Sequence, residues 1–272
     1  MNHITKILGM GVLATTLLAC TTNPMTGRRS FQFENNSELN ALSLQQYRTT
    51  LSTAKVITGT TAAKQVKTVG ARIQNAAENY YRSIGRSQDL EGYQWEFNLI
   101  DENQVNAWCM PGGKVAVYTG ILPITKNDNG LAVVLGHEVA HALAGHGNER
   151  ISQARIAQYG GALLGASISN RNWAAIFNQL YPIGGQVVMK AYGRSQELEA
   201  DQMGLYIMSM AGYDPREAQP FWQRMEAATS SSGNKTPAFL ATHPSPATRR
   251  ADIEKHLPKA LDYYKTAGGS IK

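Results

Sequence analysis

The stretch from Leu131 to Gly147, LAVVLGHEVAHALAGHG, constrains this chain more than any other. It places His137, Glu138 and His141 in the order H-E-x-x-H. In an α-helix, residues four apart leave the same face one turn apart, so the two imidazoles can bind one metal ion. Glu138 lies one step round the helix, beside such an ion but badly placed to bind it. That is where a base that takes a proton from a water molecule at the metal would stand.

The surroundings of this motif argue against the alternative that its histidines are simply packed in a core. Seven flanking residues are apolar, namely Leu131, Val133, Val134, Leu135, Val139, Ala140 and Leu143. The helix is therefore predicted to be buried, and burying two histidines and a glutamate without partners would cost several kcal/mol. A bound metal removes that cost. Residues 127–130 (NDNG) can start the helix, and Gly145 with Gly147 can end it.

A zinc site that performs hydrolysis needs a third protein ligand and an open position for water. The motif extended by a third histidine is absent, because Ala144 and Gly147 stand where it requires glycine and histidine. His146 misses that register and, on a continuous helix, lies about 140° round from His141. We therefore predict that His146 is a surface or capping residue.

The segment Ser195–Met203, SQELEADQM, can supply the third ligand. Glu197 and Asp201 are four residues apart and share a helix face, whereas Glu199 projects nearly opposite. We predict one Zn²⁺ per chain, bound by Glu197 and the two motif histidines, with Asp201 as the acceptor that fixes the tautomer of a ligand histidine. The alternative is an ordinary solvated acidic helix face.

His243 lies in an unusual setting, the sequence Ala241-Thr242-His243-Pro244-Ser245. A proline restricts the residue before it to extended geometry, so this imidazole can point into a cleft. It can approach the zinc or donate a hydrogen bond to the oxyanion of a tetrahedral intermediate. A plain turn residue is the alternative.

Hydrophobic periodicity predicts an α+β fold that is mostly helical. Helices are expected over residues 37–49 and 61–84, and strands over 93–100, 105–110 and 114–119. The strands would form a small antiparallel sheet beside the H-E-x-x-H helix. Residues 151–181 predict one or two helices that cover the site and could act as a lid.

A turn at Pro111-Gly112-Gly113 joins the last two predicted strands. An edge strand here, with Asn106, Ala107, Gly112 and Gly113, could hold an extended substrate through main-chain hydrogen bonds. Such contacts recognise main-chain atoms rather than side chains, which would give broad substrate specificity. The three turn residues could equally serve the turn alone.

The first twenty residues predict an export signal. Lys6 gives a positive start, residues 7–18 form an apolar core too short to span a bilayer comfortably, and Leu17-Leu18-Ala19-Cys20 closes it. This ending resembles a bacterial lipobox, which would make residues 1–19 a signal peptide and Cys20 a lipidated first residue. An ordinary secretory signal is the alternative. Residues 20–36 are predicted to be a lipid-anchored tether, and Thr21 favours the outer membrane by resemblance to sorting rules.

The composition describes a globular domain of 272 residues, 43% hydrophobic and 17% charged, with a net charge of +6. No dense Lys/Arg run with interleaved aromatic residues is present, so we expect no nucleic-acid partner. Cys20 and Cys109 are the two cysteines, and lipidation of the first would leave no disulfide. We predict a metallopeptidase domain at 37–260 and a C-terminal tail at 261–272.

Several separated motifs occur together in the order of a known family. They are NAWCMPGG at 106–113, HEVAH at 137–141, ELEAD at 197–201, GYDP at 212–215 and THPS at 242–245 with Arg249 after it. With them the chain resembles the gluzincin zinc metallopeptidases related to HtpX and the CAAX prenyl endopeptidases. It most resembles their periplasmic lipoprotein branch of LoiP-like and BepA-like enzymes. Without repeats after Pro258 it resembles the LoiP-like enzymes more.

The resemblance implies an endopeptidase that cleaves misfolded or misassembled envelope proteins, anchored in the outer membrane with its domain in the periplasm. It implies Glu138 as general base, zinc on His137, His141 and Glu197, and His243 as a residue that can gate the metal. One rival is a chaperone-like assembly factor for outer-membrane proteins with a structural zinc, but a closed structural site needs no base. A hydrolase of a non-peptide substrate is a weaker rival.

Overall fold

A computed structural model of the chain describes residues 20–159, 171–181, 192–231, 236–244 and 247–271. The predicted signal peptide at 1–19 lies outside these residues. The strands are β1 Cys20–Thr22, β2 Arg29–Phe31, β3 Val56–Ile57, β4 Glu96–Ile100, β5 Ala107–Met110 and β6 Lys114–Tyr118. The helices are α1 Asn36–Thr53, α2 Thr61–Ser83, α3 Leu122–Thr125, α4 Asp128–Leu143, α5 His146–Tyr159, α6 Arg171–Leu180, α7 Arg194–Met210, α8 Ala218–Ser231, α9 Ala238–Thr242 and α10 Ala247–Thr266. The predicted class, α+β and mostly helical, is confirmed.

The main sheet has the strand order β3-β4-β6-β5. Strands β5 and β6 form the predicted antiparallel hairpin, and Gly112 and Gly113 take positive φ angles of 79° and 83° in its turn. Strand β4 differs from expectation because it pairs with β6 in parallel. The loop at 101–106 carries the chain past the centre of the sheet to its far edge, and the hairpin then returns β6 to the middle. Strand β5 is consequently an edge strand.

Helix α4, which carries H-E-x-x-H, is the centre of the domain. Its cap is Asn127, whose side chain accepts a hydrogen bond from the Gly130 N–H at 3.0 Å, and every residue from Gly130 to Ala142 is buried. Helix α2 packs on α4 through a buried stripe, and β5 lies on another side of it. The helix ends where Gly145 takes a positive φ of 67°. The start, end and burial of this helix confirm the prediction.

Helices α4 and α7 cross with backbone against backbone. A Cβ atom on Gly136 would lie 2.8 Å from the Gly204 carbonyl oxygen, and a Cβ on Gly204 would lie 2.8 Å from the His137 nitrogen. These distances are shorter than ordinary van der Waals contacts, so only glycine fits on either side. The close approach brings the histidines of α4 next to the acidic residues of α7.

The N-terminal segment packs on the domain, although residues 20–36 were predicted to be a tether. Strands β1 and β2 pair in an antiparallel hairpin, and Met25 between them is buried in the core. The polar composition suggested a flexible linker, but Thr26 and Arg28 contact carboxylates of the helices, which no local pattern reveals. Cys20 is exposed at the start of β1.

The predicted boundaries at the other end also change. Helix α10 continues to Thr266, so the first half of the predicted tail at 261–272 is helical. Helices α5 and α6 cover parts of residues 151–181, and residues 160–170 of that predicted lid lie outside the described residues. Within the described ranges, no helix has both the length and the apolar character needed to cross a bilayer.

The helix crossing gives a first prediction. Gly204→Ala should lower the free energy of unfolding by about 1–3 kcal/mol, because the added methyl group meets rigid backbone. It should also weaken zinc binding, since the two helices must separate. Denaturant titration and a zinc-competition assay measure these effects. Gly193→Ala is the matched control: its Cβ would meet only Gln196 Oε1, at 3.7 Å, so the change should stay within about 0.5 kcal/mol. Equal effects of the two substitutions would contradict this account of the crossing.

Candidate metal centre

The three predicted ligands meet around one point. His141 Nε2 lies 3.1 Å from His137 Nε2 and 3.3 Å from Glu197 Oε1, and His137 Nε2 lies 3.7 Å from Glu197 Oε2. Nitrogen and oxygen ligands about 2.0–2.1 Å from a tetrahedral zinc ion lie roughly 3.3 Å from one another. All three residues are buried. The donor set and its spacing therefore fit one metal ion.

His243 joins this cluster. Its Nδ1 lies 3.0 Å from Glu197 Oε1 and 3.2 Å from His137 Nε2, and the four residues offer donor atoms within 4.8 Å of one another. Phe239 and Tyr192 pack against the ring, with centroids 4.7 Å and 5.1 Å away. Of the roles left open by the sequence, this position matches a donor to the metal. Bound to the same ion, this imidazole would take the position that water needs in a hydrolytic site.

Glu138 lies beside the ligands without joining them. Its Oε2 accepts a hydrogen bond from the Cys109 N–H of β5 at 3.2 Å, and its Oε1 lies 3.3 Å from His243 Nε2. Burial raises the pKa of Glu138 to about 7. A carboxyl group with such a pKa can both accept and release a proton near neutral pH.

Asp201 contacts His137, one of the predicted ligands, as expected. Its Oδ1 lies 3.0 Å from His137 Nδ1, so the Nδ1–H donates to the carboxylate and Nε2 keeps its lone pair for a metal. Burial also lowers the pKa of His137 and, further, that of His141. Neutral imidazole is the form that binds a metal.

Arg249 is a central residue that the sequence analysis placed only within a motif. It is fully buried and donates two hydrogen bonds of 2.6 Å to Asp201. Its Nη1 lies 2.8 Å from Glu197 Oε2. It also donates to the carbonyl oxygen of His243 and stacks on Trp222 at 3.9 Å. Burial opposes ionisation of Glu197, but the charges of His243 and Arg249 hold its pKa well below the ordinary value.

His146 was wrongly predicted to be a surface or capping residue. It is completely buried, with its Nδ1 2.8 Å from His141 Nδ1 and its Nε2 2.9 Å from Glu199 Oε2. A continuous helix would have turned His146 away from His141, but α4 ends before Gly145 and α5 begins at His146. The turn between the helices folds this imidazole back onto His141. Gly145, which ends α4, is the sequence feature that indicates this turn.

The predicted edge strand borders the centre. Asn106 and Ala107 are buried, and the Asn106 side chain accepts from the Ala107 N–H at 3.0 Å. The Cys109 N–H points away from β6, and so does that of Ala107, because alternate residues of a strand share a direction. A cleft of about 400 Å³ extends from Cys109 and His141 to the N-terminal hairpin at Thr22 and Ser30.

Gly112 and Gly113 do not share that edge. Their carbonyl oxygens accept hydrogen bonds from Gln94 and Glu96 at 2.9 Å and 3.0 Å, which ties the hairpin turn to the beginning of β4. Of the two interpretations left open for these glycines, the geometry favours the turn over contact with a substrate.

Comparison with known proteins agrees with this geometry. The profile of peptidase family M48 matches residues 64–257, more than half of the chain. The chain belongs to peptidase family M48. This match confirms the predicted family and enzyme class, that of metallopeptidases, and the family implies a metal at this cluster of residues.

Curated relatives include mitochondrial and bacterial proteins. The chain is 41% identical over 171 residues to mitochondrial metalloendopeptidase OMA1 of Schizosaccharomyces pombe, covering 63% of this chain and 49% of the relative. The same protein of Saccharomyces cerevisiae is 39% identical over 181 residues, covering 65% and 51%. The beta-barrel assembly-enhancing protease of Yersinia pestis is 30% identical over 165 residues, covering 58% and 33%. The chain thus spans about half the length, or less, of these relatives.

The ligand geometry gives a second prediction. Glu197→Ala should weaken zinc binding by more than about 100-fold, because it removes the carboxylate between the two imidazoles. Competition with a chromophoric chelator measures the dissociation constant. Glu254→Ala, which removes an exposed carboxylate on α10, should leave it unchanged. Unchanged affinity in the Glu197 variant would exclude this residue as a ligand.

Proposed function

We propose that this chain is a zinc-dependent endopeptidase of the bacterial cell envelope that cleaves misfolded or misassembled envelope proteins. One observation carries the proposal: His137, His141 and Glu197 converge, and the buried carboxyl group of Glu138 lies between that point and an edge strand. Family membership supports peptide-bond hydrolysis. The name of the Yersinia pestis relative, a beta-barrel assembly-enhancing protease, supports envelope substrates.

Each residue of the centre has a role in the proposed reaction. His137, His141 and Glu197 would hold the zinc, which when bound polarises a carbonyl group and lowers the pKa of water. Glu138 accepts the proton of the attacking water and delivers it to the leaving amine. Its pKa of about 7 suits both transfers. Asp201 keeps His137 in the tautomer that the zinc requires.

Substrate binding in this proposal uses the outer edge of β5 at Ala107 and Cys109, where a peptide would replace the Asn106 and Glu138 side chains as acceptors for the two main-chain N–H groups. A peptide aligned with them adds a strand to the sheet and runs into the cleft beside His141. Because these contacts involve main-chain atoms, the enzyme would accept peptides of many sequences, provided that the peptide is extended. Unfolded envelope proteins meet that condition.

His243 would close the metal site in a resting state of the enzyme. Its Nδ1 stands at the fourth corner of the ligand cluster, so we propose that the ring closes the site until it withdraws. A closed four-residue site is also what a structural zinc would have. It therefore favours one second candidate, a zinc-containing chaperone-like assembly factor for outer-membrane proteins.

Localisation belongs to the same proposal. A lipid on Cys20 would anchor the chain in the outer membrane with the domain facing the periplasm, as in the LoiP-like branch. Exposure of Cys20 at the start of β1 is compatible with such a modification. Because the chain packs on the domain soon after that residue, the hairpin side of the cleft would lie near the membrane surface.

Glu138→Gln tests the proposed reaction. The variant should keep its zinc and lose about 10²–10⁴-fold in cleavage rate, because an amide cannot act as the base. Zinc-loaded protein is incubated with an unfolded protein, with and without a chelator, and fragments are counted by mass spectrometry. Undiminished cleavage would refute the assignment. Full rescue of an envelope-assembly defect by the Gln variant would favour the assembly factor.

His243→Ala tests the resting state. Removing a ring that closes the site should raise the initial cleavage rate while zinc stays bound by the other three ligands. An approximately 10²-fold or greater fall in kcat with zinc retained would instead assign His243 to the oxyanion. Stopped-flow assays with a quenched fluorescent peptide distinguish the two results.

A further inference from the structure

A buried chain of polar contacts extends from a proposed ligand to the N-terminal segment. The Nδ1 atom of His141 lies 2.8 Å from that of His146, whose Nε2 lies 2.9 Å from Glu199 Oε2. The other Glu199 oxygen accepts from Thr26 Oγ1 at 2.5 Å, and Arg28 Nε donates to Oε2. The side chains of His146 and Glu199 are 0% and 2% exposed. The proposed reaction uses none of the last four residues.

Only one arrangement of protons satisfies this chain of contacts. The Nε2 atom of His141 faces Glu197 and His137, so metal binding there leaves the ring proton on Nδ1. That Nδ1–H donates to His146 Nδ1, which must then be an acceptor. The remaining His146 proton is on Nε2 and donates to Glu199. Each of the two imidazoles thereby donates one hydrogen bond toward Glu199, and the Glu199 carboxylate only accepts.

Arg28 holds the far end of this chain. It forms two hydrogen bonds of 2.9 Å and 2.8 Å with Glu149 of α5, besides its contact with Glu199 of α7. Gln196 donates to the same Glu149 at 2.8 Å. Without the guanidinium group, two buried carboxylates would face each other and have to separate. Since Glu149 is in the first turn of α5, such a shift would move His146 as well.

We propose that His146 and Glu199 are positioning residues for His141, and that Arg28 and Thr26 make the N-terminal segment a part of the metal centre. The inference rests on the proposed function only through the metal site. Glu199 and Arg28 do for His141, through a second imidazole, what Asp201 and Arg249 do for His137. Docking of residues 23–31 and metal binding are consequently coupled, and each favours the other.

Zinc affinity of full-length variants tests the inference. His146→Ala should weaken zinc binding about 10–100-fold, because His141 loses its hydrogen-bond partner. Glu199→Gln should weaken it toward the lower end of that range, because a neutral amide replaces the carboxylate that accepts from His146. Arg28→Gln should weaken it less, by about 3–10-fold, because it acts through Glu199. Glu199→Gln is nearly isosteric and decides the question if His146→Ala does not fold. The visible spectrum of the Co²⁺ form should change in these variants, which loss of stability alone would not cause.

Glu34→Gln is the matched control. Glu34 forms a largely buried ion pair between the N-terminal segment and Arg155 of α5, away from Glu199 and His146. Its loss should leave zinc affinity within about 3-fold of the native value, below the range for a hydrogen-bond partner of a ligand. Native zinc affinity in both Glu199→Gln and His146→Ala would overturn the proposal, as would equal losses of affinity for Glu34→Gln and Arg28→Gln. Absence of zinc binding by the native chain would instead refute the proposed function.

Discussion

The contact between helices α4 and α7 at Gly136 and Gly204 is the constraint on which the metal centre depends. With side chains there, the helices would lie farther apart and the Glu197 carboxylate could not reach both imidazoles of α4. The same closeness buries several charged groups, which is costly unless each is paired. Arg249 meets this demand by contacting both Glu197 and Asp201. Structural stability and ligand geometry are therefore satisfied by the same contacts.

The site residues that lie four apart on one helix were predictable from the sequence. His137 and His141 share a face because they are four apart, and the same rule pairs Glu197 with Asp201. Apolar flanks and capping residues fixed the position and burial of α4. The hairpin of β5 and β6 followed from a glycine turn between two short strands. In each case the deciding interaction lies within a few residues of the pattern.

The parts that depend on long-range contacts were not predictable in the same way. His146 turns back on His141 because a left-handed glycine interrupts the helix, so angular spacing no longer applies. Arg28 docks the N-terminal segment on carboxylates more than a hundred residues away, where composition suggested a linker. The parallel pairing of β4 with β6 depends on where the 101–106 loop places β5 in the sheet. Local sequence contains no information on such partners.

Zinc K-edge X-ray absorption of the purified, zinc-loaded chain tests the central claim most directly. The account predicts one zinc per chain with nitrogen and oxygen neighbours at about 2.0–2.1 Å and the outer-shell scattering of at least two imidazoles. A sulfur neighbour at about 2.3 Å would instead place the ion on a cysteine. That result, or a zinc content well below one per chain, would contradict the assignment of His137, His141 and Glu197 as the ligands.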